Sequence, residues 1–220
     1  MTLADSLRKT LTIVSVFWAI KLFEVVMGTS LSAFGILPRA TQGLIGILAS
    51  PFLHGDFSHL ISNSIPFVVL GTSILFFYPR IAARVIILIY VFTGLGVWLF
   101  ARAESYHIGA SGIVYGFASF LLFCGMFRKD FKSITVAMVV AFLYGGLIYG
   151  VFAVHPGISW ESHLIGAIMG AYAAFHYRKV REHDDHDDGY HYRRFNFKDE
   201  QEGYRNIESE RFRYRYREGN

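Results

Sequence analysis

Residues 105–127, SYHIGASGIVYGFASFLLFCGMF, decide how the chain folds. From Gly109 onward the run carries no charge for 19 residues, close to the ~20 apolar residues a helix needs to cross a bilayer. Its first residues are not ordinary filler. A serine, Ser111, stands between Ala110 and Gly112 where the run begins, so a hydroxyl sits at the mouth of a membrane helix.

The rest of the chain has the same character. It is 53% hydrophobic and 17% aromatic but only 17% charged over 220 residues, which excludes an ordinary soluble domain. Apolar runs at 10–27, 59–78, 81–101, 109–127, 133–154 and 159–177 predict six membrane spans, an all-α polytopic bundle. Residues 1–9 form a short basic start with Arg8 and Lys9. A cleaved secretory leader ending near Ser32-Ala33 is the alternative for the first run, but Lys21 and Glu24, three apart, pair well on one face of a span. Residues 28–57 are too apolar for a solvated linker and too interrupted by Pro38, Pro51 and glycines for a span, so they read as a loop lying in the membrane surface. Residues 178–220 crowd Asp, Glu, Arg, His and Tyr with almost no aliphatics and read as a disordered tail. Within it His183, His186 and His191 lie among aspartates, a solvated charge run rather than a metal site. The single cysteine, Cys124, excludes an internal disulfide and any multi-cysteine metal centre. The net charge of +4 needs no nucleic acid, since the inner loops of membrane proteins collect Lys and Arg.

Those basic residues orient the bundle. With both termini cytoplasmic, Arg8, Lys9, Arg80, Arg84, Arg128, Lys129, Lys132, Arg178, Lys179 and Arg181 fall inside, and Arg39 and Arg102 are the loop exceptions. The second, fourth and sixth spans then enter from the outer face. Each opens with polar groups: His59 and Asn63, Ser111, and His163. At 1.5 Å rise per residue they lie within about two turns of the surface. Buried polar groups in spans face an interior or a wet cavity.

Chemistry then assigns roles. Ser111 is a nucleophile only if a base takes its proton, and His163 is the base at matching depth. The Ser111 backbone N–H, Asn63 and His59 are donors for an oxyanion. No carboxylate shares their level; Glu161, two residues from His163, points to another side of its helix, so a dyad is expected rather than a triad. Gly112 and Gly116 on one span and Gly166 and Gly170 on another allow backbones to approach closely, bringing Ser111 and His163 within about 2.6–3.2 Å. The first loop and the fifth span, through Gly145-Gly146, are the expected movable walls.

The ordered set His59-x-x-x-Asn63, Gly109-Ala110-Ser111-Gly112-x-x-Tyr115 and His163-x-x-Gly166-x-x-x-Gly170 resembles the rhomboid family of intramembrane serine proteases, in its six-span bacterial form. The resemblance covers about residues 10–177. It implies a Ser111–His163 catalytic pair, an oxyanion site of His59, Asn63 and the Ser111 amide, and Tyr115 stacked beside His163. It also implies cleavage of single-pass transmembrane proteins near the outer surface of a bacterial plasma membrane, with no cofactor. One departure concerns the long first loop, where many relatives carry Trp-Arg and this chain has Leu44-Ile45-Gly46-Ile47, so the resemblance does not say how that loop is held. The alternatives are a catalytically inactive rhomboid-like escort of membrane proteins, against which both Ser111 and His163 are present, and a small transporter, against which repeated carboxylates and inverted repeats are lacking.

Overall fold

The computed structural model describes residues 1–103, 105–152 and 159–180. Among them the chain is helical, with one isolated antiparallel bridge between Ile36 and His107. Six long helices carry the fold: α1 (Leu3–Met27), α2 (Phe57–Phe77), α3 (Ala82–Phe100), α4 (Ser111–Arg128), α5 (Phe131–Tyr144) and α6 (Trp160–His176). The expected tail at 178–220, with His183, His186 and His191, lies beyond residue 180 for all but its first three positions and so outside the described residues.

Three of the boundaries that differ from the sequence reading have a clear local reason. The basic start is not separate from the first span. Thr2 caps α1 by accepting from the Asp5 N–H at 3.1 Å while the Asp5 carboxylate reaches back to the Thr2 N–H, and this reciprocal cap draws residues 3–9 into the helix. The second span starts two residues early because Asp56 accepts from the His59 N–H at 2.8 Å. The fifth run is not one α-helix to residue 154: α5 stops at Tyr144, and a 3₁₀ helix, Gly145–Val151, follows. Consecutive glycines favour helix poorly, and the tighter turn takes over there.

Among the described residues five segments are long and apolar enough to cross a bilayer: α1 to α4, and Phe131–Val151. The six expected are therefore reduced by one on this measure, because α6 has 17 residues and spans roughly 25 Å. Apolar side chains line the outside of the bundle, among them Val26, Ile87, Phe100, Phe142 and Tyr149, as a lipid-facing surface requires.

The helix that begins with Ser111 is the centre of the bundle. It packs most extensively on α6 and also contacts α5, α2 and α3. Leu60, Leu70 and Ile74 of α2, Val85 and Ile89 of α3, and Phe117, Phe120 and Leu121 of α4 are fully buried together. Polar pairs add to the seams: Thr10 with Thr72 at 2.8 Å, the Trp18 indole on Ser64 at 3.1 Å, and the Tyr78 hydroxyl on Ser133 at 3.1 Å. Hydrogen bonds of this kind between membrane helices contribute about 0.6 kcal/mol each.

The first loop is held without the Trp-Arg dipeptide. Arg39, at φ +58°, donates to the carbonyls of Ala101 (2.8 Å) and Leu99 (3.3 Å), and Trp98 of α3 donates to the Ala40 carbonyl at 2.9 Å. An arginine from the loop and a tryptophan from the helix thus form the anchor. At the loop's two ends, Lys21 pairs with Glu24 at 3.2 Å, as their spacing predicts, and also donates to the carbonyls of His54 and Gly55. Glu24 in turn accepts from the Leu31 N–H at 2.7 Å. The pair fastens both ends of the loop to α1.

Candidate active site

Ser111 is the first residue of α4, so its hydroxyl stands where the helix N–H groups still lack intrahelical acceptors. Its Oγ lies 2.9 Å from Nε2 of His163, which projects from the first turns of α6. The contact depends on the glycines. A methyl group at Gly166 would land on the Gly112 carbonyl oxygen, and one at Gly170 on the Gly116 carbonyl oxygen. The two backbones touch along this seam, and that sets the distance between the hydroxyl and the imidazole.

The imidazole is held on its other sides as well. Tyr115, one turn after Ser111, stacks flat on it, with ring centroids 4.1 Å apart and planes 2° from parallel. Its Nδ1 lies 2.7 Å from the carbonyl oxygen of Gly150 in the 3₁₀ segment. Sequence reasoning did not single out Gly150, and a backbone carbonyl leaves no side-chain signal to find.

The proposed oxyanion donors gather around Gly109, whose φ of +104° turns the chain into α4. A Cβ at Gly109 would stand 2.6 Å from His59 Nε2 and 3.4 Å from Asn63 Nδ2, so both side chains face the residues just ahead of Ser111. The Asn63 amide nitrogen is buried and donates to no group among the described residues. An unused donor of that kind costs stability unless a ligand completes it.

Glu161 turns away from His163, as its position on the helix predicts, and binds Arg102 through two hydrogen bonds. Two further histidines were not singled out by the sequence reading. His107 joins the loop before α4 to the start of α6: it contacts Ser159 Oγ at 2.6 Å and the Arg102 carbonyl at 2.9 Å, and Ser159 continues to Ser162 at 2.5 Å. His54, buried in the first loop, packs edge-on to His59 at 5.1 Å and against Phe17 at 5.5 Å. Burial, and secondarily the neighbouring His59, push the His54 pKa down to about 4. A small cleft between the first loop, α3 and the start of α4 is lined by Ile36, Ile47, Val97, Ile113, Thr93 and Ser162, and includes neither Ser111 nor His163. Among the described residues no three His, Cys, Asp or Glu side chains gather as a metal site would need.

Sequence comparison places this geometry. A family model for the rhomboid domain matches residues 41–180, which hold Ser111, His163, His59, Asn63 and Tyr115. The chain belongs to the rhomboid family. It is 36% identical over 173 residues to the uncharacterized proteins Rv1337 of Mycobacterium tuberculosis and Mb1372 of Mycobacterium bovis, covering 75% of this chain and 72% of each relative. The uncharacterized protein ML1171 of Mycobacterium leprae is 35% identical over a stretch of the same length, 68% of its own chain. As a rhomboid protein with five helices long and apolar enough to span, it is an integral membrane protein.

Proposed function

We propose that this rhomboid protein is an intramembrane serine endopeptidase that uses Ser111 and His163 as a dyad. The observation that carries the proposal is the 2.9 Å approach of His163 Nε2 to Ser111 Oγ, with the ring stacked on Tyr115. Ser111 Oγ attacks the scissile carbonyl carbon as Nε2 takes its proton. The tetrahedral oxyanion receives the Ser111 N–H, the unused Asn63 amide and His59. His163 then gives its proton to the leaving amine, and water, activated by the same imidazole, hydrolyses the acyl-enzyme.

Substrates are single-pass transmembrane proteins. The dyad opens at the end of α4 opposite Arg128, Lys129 and Lys132, and the weight of basic residues at that far end supports a cytoplasmic N-terminus, six crossings and an active site facing outward from a bacterial plasma membrane.

Purified protein incubated with a model single-span substrate tests the proposal. The parent cleaves it, and Ser111→Ala and His163→Ala do not; cleavage surviving Ser111→Ala refutes the dyad. The competing reading, an inactive escort of membrane proteins, predicts substrate crosslinking without cleavage and no labelling of Ser111 by a fluorophosphonate probe.

A further inference from the structure

A serine–histidine dyad has no carboxylate to fix the tautomer of its base. In a triad, an acid hydrogen-bonded to Nδ1–H does this, and its loss costs about 10⁴ in rate. Here the nearest acid by sequence, Glu161, is committed to Arg102. Among the described residues, the group at Nδ1 is the Gly150 carbonyl oxygen, 2.7 Å away. A carbonyl only accepts, so Nδ1 must carry the hydrogen. That leaves the lone pair on Nε2, which is the nitrogen facing Ser111 Oγ.

The position tolerates no side chain. A methyl group at Gly150 would land on the Tyr115 hydroxyl, 3.0 Å from its Cζ and 3.3 Å from His163 Nδ1. Two glycines earlier in the same 3₁₀ segment, Gly145 and Gly146, would meet nothing within 4 Å. Close approach therefore explains the glycine at 150 and not the other two. From this we infer that Gly150 is a positioning residue of the proposed protease. Its carbonyl takes the place of the missing carboxylate by holding His163 in the Nδ1–H tautomer, and the Gly145–Val151 segment must be seated for the base to work.

This inference rests on the protease reading, and the experiment separates the two. Cleavage of the model substrate is measured for the parent, Ser111→Ala, Gly150→Ala and Ile87→Ala. It is also measured for Gly150→Ala in a Tyr115→Phe background, compared with Tyr115→Phe alone. Gly150→Ala lowers kcat by about 10–100-fold with KM within about twofold of the parent, as expected for a misplaced base. Ile87→Ala, on the exposed face of α3, matches the parent. Removing the Tyr115 hydroxyl relieves the clash, so the Gly150→Ala cost shrinks in that background. Independently, ¹⁵N NMR of histidine-labelled parent, with the His163 signals assigned by difference from His163→Gln, shows Nδ1 as the protonated nitrogen.

Unchanged kcat in Gly150→Ala, an equal cost in both Tyr115 backgrounds, or an Nε2–H tautomer overturns the assignment of Gly150 while leaving the dyad standing. A parent that cleaves nothing overturns the protease reading itself. If Gly150→Ala loses its cooperative melting transition, the nitrogen spectrum of the parent decides alone.

Discussion

Replacing Gly166 by alanine tests whether close helix approach sets the active-site geometry. The added Cβ would stand 2.8 Å from the Gly112 carbonyl carbon and closer still to its oxygen, whereas carbon atoms pack at about 3.5–4.0 Å. The obstacle is backbone on a buried helix, which cannot swing aside as a flexible side chain does. α6 must therefore move away from α4 by about 1 Å. Added to the 2.9 Å between His163 Nε2 and Ser111 Oγ, that takes the pair past hydrogen-bond range. A displacement of this size at a reacting group costs about 10²-fold in rate. Overpacking adds about 1–3 kcal/mol of destabilisation. Both effects are read on one sample, kcat by cleavage of the model substrate and stability by the melting midpoint in detergent. Ile87→Ala, on the exposed face of α3, serves as the control and keeps the parent rate. A Gly166→Ala protein with parental kcat refutes the claim that the glycine seam sets the dyad distance.

Asn63→Ala removes a buried donor that has no partner among the described residues, so kcat falls about 10²–10³-fold while the fold is stabilised or unchanged; a loss of folding without a specific loss of kcat contradicts the oxyanion role. The His54 prediction concerns pH. Its pKa is about 4 in the folded state against 6.5 unfolded, so between these values the unfolded chain binds more protons and stability rises with pH. Its contribution is complete above pH 6.5 and lost as the pH falls toward 4. The gap of about 2.5, at 1.36 kcal/mol each, sets an upper value of ~3 kcal/mol. Melting midpoints of parent and His54→Gln measured from pH 7.5 to 4 should converge as the pH falls, and parallel curves contradict it. Arg39→Ala removes two charge-assisted bonds to the end of α3 and costs about 1.5–3 kcal/mol, with faster proteolysis in the first loop; an unchanged midpoint and cleavage pattern would mean Trp98 alone holds that loop.

The parts of this molecule that were legible in its sequence are those encoded by side chains with a spacing. Apolar runs near the length of a bilayer crossing located α2, α3, α4 and α6 within two residues at each end, but missed the start of α1 and the end of α5. Helical period placed Tyr115 one turn from Ser111, and small residues four apart marked the seam where Gly166 and Gly170 meet Gly112 and Gly116. What was not legible is carried by the backbone or by contacts between distant loops. A cap such as Thr2–Asp5 is four residues long and blurs into a basic terminus, so α1 looked shorter than it is. The break at Tyr144 is invisible to an apolarity count, because residues on both sides are equally apolar and only the glycine pair hints at it. The loop anchor has no local signature, because its Trp and Arg are not adjacent in the sequence. The fold needs only that the two side chains meet, and it draws Arg39 and Trp98 from positions 59 residues apart. Gly150 is the extreme case, since the atom that matters there is one every residue possesses. A group that selects the protonation site of a base through its main-chain oxygen can be recognised only once the chain has folded, and a glycine at that position signals that the space above it is taken.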